Sequence, residues 1–335
     1  MAIALPQLRG SELITHSRRT CRMSCSKKHW YRYELGVVPS RDSTPLRFGG
    51  AFHKGVEVYY QHPDRVAADD AAQSAIRSNY ADIPAWALGD PEAEAEWLTE
   101  CETVCALVWS YVRHWASANG SLATLETVAT ELPFELSILN PETQAASPLF
   151  QFAGKIDRIV KMASGATAVL ETKTTSDSIE ADSDYWKRLR VDTQITGYMV
   201  AAQAMGYPAE SVVYDVIRKP SIRPKLVKGA RETPAEFGER LRQDVASRPD
   251  FYFARREIVR MSVDVDEFLQ ELWDETQILR YHQKNARWPR NTAACIHPYP
   301  CPYRELCFNS VNPLESGLPG GFRFSTDLHP ELEKP

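Results

Sequence analysis

Alternation between polar and apolar residues marks two neighbouring strands in the middle of the chain. Residues 150–160 and 167–174 both interleave β-branched and apolar side chains with polar ones. Between them, Ala163, Ser164 and Gly165 form a turn signal. The pattern therefore predicts two adjacent antiparallel strands joined by a short turn.

Helical patterns flank this pair of strands. Residues 48–62 and 183–205 are predicted to be helices, and residues 64–120 are predicted to form a helical insertion that is acidic in places. We expect an α/β fold with the sheet between about residues 126 and 260, followed by a long helix that leads into a cysteine-rich loop. The predicted segments are an N-terminal segment (1–47), a helical region (48–125), a core (126–290), a cysteine loop (291–310) and a loosely packed tail (311–335).

Candidate chemistry lies on the two predicted strands. Glu171 and Lys173 are two residues apart in E-T-K, so their side chains project to the same side of a strand, and Asp157 on the neighbouring strand can face them. Two carboxylates suit a hard cation such as Mg²⁺ or Mn²⁺ and leave coordination positions for water and a phosphate oxygen. This pattern indicates metal-dependent hydrolysis of phosphodiesters. A surface ion pair between Glu171 and Lys173 is the alternative interpretation.

The order of four motifs resembles the RecB-like branch of the PD-(D/E)XK nuclease superfamily. The motifs are G-x-x-D ending at Asp157, E-x-K from Glu171 to Lys173, Q-x-x-x-Y from Gln194 to Tyr198, and the upstream F-G-G-A-F-H that ends at His53. The strand at residues 212–220 is similar to the segment that follows the Q-x-x-x-Y helix in phage-type members. This resemblance implies a restriction-endonuclease-like core, which is a mixed central sheet flanked by helices.

The same resemblance assigns roles to the motif residues. It implies that His53 joins Asp157 and Glu171 in binding the metal, and that Lys173 acts on the water. Gln194 and Tyr198 are implied to orient that lysine and to contact the nucleic-acid backbone.

The cysteines form a second candidate site. Cys295, Cys301 and Cys307 lie within thirteen residues, and Cys25 lies near the other end of the chain. Without a secretory signal, clustered thiols indicate a bound metal rather than disulfides, and their spacing leaves Zn²⁺ and an iron-sulfur cluster both open. Cys101 and Cys105 lie on a helical apolar stripe and are predicted to be core residues.

A resemblance again separates the two metal alternatives. One cysteine before the nuclease motifs and three after them is the arrangement of the AddB nuclease domain and of the CRISPR-adaptation nucleases, although five residues rather than two separate the first pair here. The resemblance implies a 4Fe-4S cluster that fastens the two chain ends, bound by Cys25, Cys295, Cys301 and Cys307. Cys21 competes for the first position, but Cys25 precedes the similar lysine and aromatic segment.

Composition and charge bear on the expected location of the protein and on its binding of DNA. The 335 residues are 43% hydrophobic and 25% charged, and no apolar run reaches the roughly 18 residues of a membrane span, so we expect a cytoplasmic protein. The net charge is −5, yet residues 218–231 contain several cations and no acid. That stretch is either a solvated face or a track for the DNA backbone, formed by Arg218, Lys219, Arg223, Lys225 and Lys228.

The expected function is therefore that of a metal-dependent DNA exonuclease acting on DNA ends or single strands in recombination, repair or phage DNA processing. A helicase or recombination protein is an expected partner, since the chain carries no helicase P-loop. The alternatives are a nuclease of CRISPR spacer acquisition, a DNA-binding subunit that keeps the nuclease fold without cutting, and a zinc-stapled binding protein.

Overall fold

The structure, a computed structural model, describes residues 12–41, 43–227, 230–297 and 299–332. Its helices are α1 (His16–Ser24), α2 (Ser26–His29, continued by a π-helical turn Trp30–Glu34), α3 (Thr44–Gln61), α4 (Arg65–Asn79), α5 (Pro91–Ser117), α6 (Asp184–Leu189), α7 (Thr193–Ala204), α8 (Pro234–Ser247), α9 (Pro249–Tyr252), α10 (Ser262–Asn285), α11 (Arg304–Phe308) and α12 (Pro313–Ser316). Its strands are β1 (Leu13–Ile14), β2 (Val37–Pro39), β3 (Glu126–Leu139), β4 (Ala146–Lys161), β5 (Thr167–Thr175), β6 (Ala209–Arg218), β7 (Leu226–Val227), β8 (Ala230–Arg231), β9 (Phe253–Val259) and β10 (Phe322–Phe324). Short 3₁₀ turns lie at Thr292–Cys295 and Pro330–Leu332.

The chain divides into two compact units. The first unit consists of the described parts of Met1–Asp42, Pro133–Lys155 and Met261–Pro335. The second unit consists of the described parts of Ser43–Leu132 and Ile156–Arg260, so strands β3 and β4 each run through both units. The chain contains a mixed sheet with helices beside it, as the sequence predicts.

The predicted hairpin is confirmed. Strands β4 and β5 pair antiparallel, with Arg158 opposite Leu170 and Lys161 opposite Thr167. The turn closes through two hydrogen bonds: the N–H of Met162 donates to the carbonyl of Ala166, and the N–H of Gly165 donates to the carbonyl of Met162. Gly165 has a φ of 90°, which only glycine adopts without strain. Both strands extend beyond their predicted bounds, to Ala146–Lys161 and Thr167–Thr175.

Beyond the hairpin, the sheet of the second unit is mixed. Strand β6 pairs parallel to β5, with Glu171 opposite Tyr214 and Lys173 opposite Val216, and β9 pairs antiparallel to β6. Helix α7 makes the crossover from β5 to β6 that a parallel pair requires.

The prediction of one continuous helix over residues 183–205 is wrong, because two helices, α6 and α7, occupy this stretch. Asp192 is extended, with a ψ of 116°, and its side chain accepts the backbone N–H of Gln194 at 2.9 Å. An N-cap of this kind starts a new helix. The break separates α6 from α7 and begins α7 directly before Gln194.

Helix α3 packs closely in the core of the second unit. A Cβ on Gly55 would lie 2.6 Å from Cδ1 of Ile76 in α4, so only glycine allows this approach. Phe52 is buried on the same helix, and Cys101 and Cys105 are buried in the same core, as predicted. This packing fixes the helix that carries His53.

The segment after Cys307 is packed more closely than the sequence predicts. Strand β10 pairs antiparallel with β2, placing Phe322 opposite Pro39, and Leu328 and His329 are buried. An isolated three-residue strand gives almost no periodic signal, which is why the pairing was not predicted. Among the described residues, no helix is both long and apolar enough to cross a membrane.

Candidate active site

The β4–β5 hairpin carries two carboxylates of the site. Oδ2 of Asp157 accepts the backbone N–H of Thr172 at 2.8 Å, which ties the aspartate to the strand that bears Glu171. The side chain of Asp157 is 14% exposed and that of Glu171 is 4% exposed. Buried carboxylates are costly unless charge or hydrogen bonds compensate them, so this pair indicates a functional site.

Lys173 lies beside the carboxylates and is held from two directions. Its Nζ is 2.7 Å from Oε1 of Glu171 and donates to Oε1 of Gln194 at 2.5 Å. Nε2 of Gln194 donates in turn to the hydroxyl of Tyr198 at 3.0 Å. Helix α7 therefore orients the lysine through Gln194, an arrangement that a surface ion pair would not have.

A third acid and a histidine complete a candidate metal centre. Nδ1 of His53 is 3.5 Å from Oδ2 of Asp157. Ligand atoms of His53, Glu131 and Asp157 all lie within 4.8 Å of one another. Imidazole nitrogen and carboxylate oxygens together suit Mn²⁺, and carboxylates also suit Mg²⁺.

Glu131 is a candidate ligand that sequence reasoning missed. It lies on β3 with a φ of 47°, in the left-handed region that a residue with a side chain rarely adopts. Strain of this kind concentrates at functional sites. No motif marks the position, because its approach to Asp157 depends on a local backbone turn inside a strand.

The charges of the site act on one another. Burial and the neighbouring Asp157 raise the pKa of Glu171 to about 7. Burial alone would raise the pKa of Asp157, but His53 and the Thr172 N–H hold it below its ordinary value. Burial disfavours the charged forms of His53 and Lys173, yet the carboxylates outweigh it, raising the pKa of His53 to about 9 and that of Lys173 above its ordinary value.

The donor set fits a divalent cation. Oε2 of Glu171 is buried and has no hydrogen-bond partner among the described residues, so it is available as a ligand beside Asp157. A cation there would also relieve the repulsion that raises the pKa of Glu171. Because Lys173 keeps its proton more firmly than usual, it is suited to orient water and stabilise negative charge rather than to act as a base.

A charged network lies on the reverse face of the same strands. Arg158 follows Asp157, so its side chain projects to the other face, where its Nη2 is 3.1 Å from Oδ2 of Asp215. Nη2 of Arg255 is 3.0 Å from the same oxygen, and the hydroxyl of Tyr111 donates to it. The Asp215 side chain is 0% exposed. Two arginines thus share one buried carboxylate behind the candidate site.

The predicted basic track is split into separate environments. Arg218 lies over the ring of Phe251 at 4.1 Å, whereas Lys219 lies over Phe48 at 4.6 Å. Arg223 and Lys225 are exposed, and Lys228 lies outside the described residues.

The four cysteines of the second candidate site lie in the first unit. Cys25 separates α1 from α2, and its Sγ accepts the backbone N–H of Asn291 at 3.4 Å. The backbone N–H of Cys301 donates to the carbonyl of Cys295 at 3.0 Å, and Cys307 lies in α11. Within the described part of the chain, no three of these sulfurs lie as close to one another as the ligand atoms of His53, Glu131 and Asp157 do.

Comparisons with known proteins agree with this geometry at the level of the family. The sequence profile of the PD-(D/E)XK nuclease superfamily matches residues 14–308. Among solved structures, one titled "Crystal structure of SSO0001" is similar over 88% of this chain and 97% of that chain, with 12% identity and a TM-score of 0.30, too low for any inference. The curated proteins give no match.

Proposed function

Because the chain belongs to the PD-(D/E)XK nuclease superfamily, we propose that it is an exonuclease that hydrolyses DNA with Mg²⁺ or Mn²⁺. Its substrates are DNA ends or single strands, and its setting is recombination, repair or phage DNA processing beside a helicase or recombination protein. Support for the finer activity comes from the ordered motifs at His53, Asp157, Glu171 and Gln194.

One observation carries the proposal. Ligand atoms of His53, Glu131 and Asp157 converge next to a lysine that is bonded to both Glu171 and Gln194. A divalent cation bound there would supply an activated water and neutralise charge on the phosphate.

The protein side chains have distinct tasks in this proposal. Asp157, Glu171 and His53 hold the cation, with Glu131 as an additional ligand. Lys173 stays protonated, orients the water and stabilises charge that develops on the phosphate oxygens. Gln194 and Tyr198 keep the lysine in place.

The direct test is cleavage of end-labelled DNA. Wild-type protein with Mn²⁺ should degrade single-stranded DNA progressively from its ends, and EDTA should stop the reaction until excess Mn²⁺ restores it. Circular single strands, which have no ends, are the matched substrate. Rapid cutting of circles would contradict the exonuclease assignment, and the absence of metal-dependent cutting on every substrate would contradict the nuclease.

Metal binding should compete with protons. His53, with a pKa of about 9, and Glu171, with a pKa of about 7, must both lose a proton to bind a cation, so Mn²⁺ affinity should rise between pH 6 and 9. Both pKa values lie above the ordinary values of 6.5 and 4.5, so their stabilising contributions are lost as pH rises through 7 and then 9. Without metal, the melting temperature should therefore fall across this range.

Calorimetric titration with Mn²⁺ in buffers of different ionisation enthalpy measures the released protons. His53→Gln should release about one proton fewer at pH 8. An affinity that does not change with pH would contradict the ligand assignment of both groups.

We propose further that Cys25, Cys295, Cys301 and Cys307 bind a 4Fe-4S cluster. Support comes from the approach of the two cysteine segments, since the N–H of Lys27 donates to the carbonyl of Pro289 at 3.0 Å and Nδ2 of Asn291 donates to the carbonyl of Ser24 at 2.9 Å. The Asn291 N–H directed at Cys25 is also the kind of bond that tunes cluster sulfurs. Irons lie between the sulfurs of a cluster, so those sulfurs need not be as close as ligands of one ion.

Protein isolated without oxygen should be brown and contain about four irons per chain. Cys25→Ser should lose the colour and lower the melting temperature, because the link between distant segments is lost. Cys21→Ser is the matched control and should keep both. Zinc in iron-replete preparations would contradict the cluster.

A further inference from the structure

A cavity of about 520 Å³ opens within the second unit at the start of helix α3. It is bordered by the segment that follows β5, the segment that follows β6, and one side of α5. Its volume is in the range of small-molecule sites.

Two elements of the second unit contribute residues both to the cavity and to the candidate active site. Phe48 lines the cavity and precedes His53 by five residues of α3, which is about 7 Å along a helix. Ser176 also lines it and follows Lys173 by three residues, which is about 10 Å along a strand. Two elements therefore run from the same site to the same cavity.

Two of the three cations that line the cavity, Lys219 and Arg223, form no ion pair within the described residues, whereas Arg231 pairs with Glu92 at 3.7 Å. The ammonium of Lys219 is half-buried over the ring of Phe48, and among the described residues no carboxylate forms an ion pair with it. Burial lowers the pKa of Lys219, and the charge of Glu100 offsets this only in part. The exposed side chain of Arg223 adds a second positive charge at the rim.

The acids of the cavity do not cancel this charge. Both carboxylate oxygens of Glu100 are bonded to Arg47 at 2.8 Å, and the hydroxyl of Tyr80 donates to one of them. Glu96 is exposed, so solvent screens it. A half-buried cation therefore faces a cavity whose best-placed acid is already neutralised.

Part of the remaining wall is apolar and suits a base and its sugar, and hydroxyl side chains form much of the rest. Single-strand binding sites combine cations for the backbone with apolar or aromatic surface for the bases. Here that surface is formed by Pro45, Pro220, Ile222, Pro224 and Phe237.

We propose that this cavity binds one nucleotide of the DNA strand next to the scissile phosphate, with its phosphate at Lys219 and Arg223 and its base against the apolar wall. This assignment rests on the proposed nuclease function. Holding that nucleotide would set the strand's position at the metal centre and make Lys219 a positioning residue for cleavage.

Binding of thymidine 5′-monophosphate in EDTA tests the cavity without requiring catalysis. Wild-type protein should bind the nucleotide more tightly than either thymidine or inorganic phosphate. The double variant Lys219→Gln with Arg223→Gln should bind it about tenfold more weakly or worse. Lys161→Gln, which removes an exposed cation that does not line the cavity, should bind as wild type does.

Equal weakening by Lys161→Gln would overturn the site in favour of general charge attraction. Equal binding of phosphate and nucleotide would overturn the base contact, and unchanged binding by the double variant would overturn the cavity. Thr99→Tyr, which fills the cavity from α5, should block nucleotide binding in a folded protein and guards against misfolding of the double variant.

Hydrolysis of bis(p-nitrophenyl) phosphate separates this proposal from the nuclease itself. The double variant should hydrolyse this small diester as wild type does while its KM for oligonucleotides rises. If wild type hydrolyses neither substrate, the proposed nuclease function is wrong. Nucleotide binding in EDTA still tests the cavity in that case.

Discussion

Asp157→Asn and Glu171→Gln should each lower Mn²⁺-dependent DNA cleavage by about three orders of magnitude or more. Both changes keep the side chain's shape and remove a charge that the cation needs. Oε2 of Glu171 is buried without a hydrogen-bond partner among the described residues, which leaves it available to the proposed cation. Rates of single-turnover cleavage at saturating DNA measure the effect.

Two further variants, a control and a weaker ligand change, show how specific this loss of cleavage is. Glu257→Gln removes an exposed carboxylate from β9 of the same sheet and should cleave at the wild-type rate. Glu131→Gln should raise the Mn²⁺ requirement about 10- to 100-fold while most of the rate returns at saturating metal, because three other ligands remain. Wild-type rates for both Asp157→Asn and Glu171→Gln would contradict the assignment of the site.

The hairpin and the shared face of its polar side chains could be predicted because they depend on local rules. Alternation fixes which side chains of a strand share a face, so Glu171 and Lys173 had to project together. The spacing of Gln194 and Tyr198 likewise predicted one helical face, and the two side chains are hydrogen-bonded to each other.

Features that depend on pairing between distant segments could not be predicted in this way. Glu131 reaches the site because one residue of β3 turns into the left-handed region, which no pattern of polarity encodes. The break between α6 and α7 was missed because Asp192, which caps the start of α7, looks like an ordinary polar position within a helical pattern. Only its extended backbone shows that a new helix begins there.

The buried network behind the site is a further feature that the sequence hides. Arg158, Asp215 and Arg255 lie on three strands, and nothing in the sequence marks them as partners: Asp215 has apolar neighbours, whereas Arg158 and Arg255 each lie next to another charged residue. Only the register of β6, which places Asp215 opposite both Thr172 and Arg255, brings them together. Sequence alone would assign such residues to strand edges or to solvent.

Asp215→Asn should destabilise the folded protein by about 3 to 5 kcal/mol, because it leaves two buried guanidinium groups without their counter-charge. Burial would lower the pKa of both arginines, but Tyr111 and Asp215 outweigh it and raise them above the ordinary value, which indicates how strongly the network depends on this charge. Urea titration of the metal-free protein at pH 7 measures the loss.

Because two arginines share one carboxylate, removing one arginine should destabilise the protein less than removing the carboxylate's charge. Arg158→Met leaves Arg255 and Asp215 as a pair at 3.0 Å, so it should cost less stability than Asp215→Asn, even though it deletes a larger polar group. Glu257→Gln should leave the urea midpoint unchanged, since its carboxylate is exposed. An equal loss for Arg158→Met and Asp215→Asn would mean that hydrogen bonding rather than charge balance stabilises the network. Because the network lies on the face opposite Asp157, the folded fraction of either variant should keep the wild-type Mn²⁺ requirement, which separates support of the sheet from a part in catalysis.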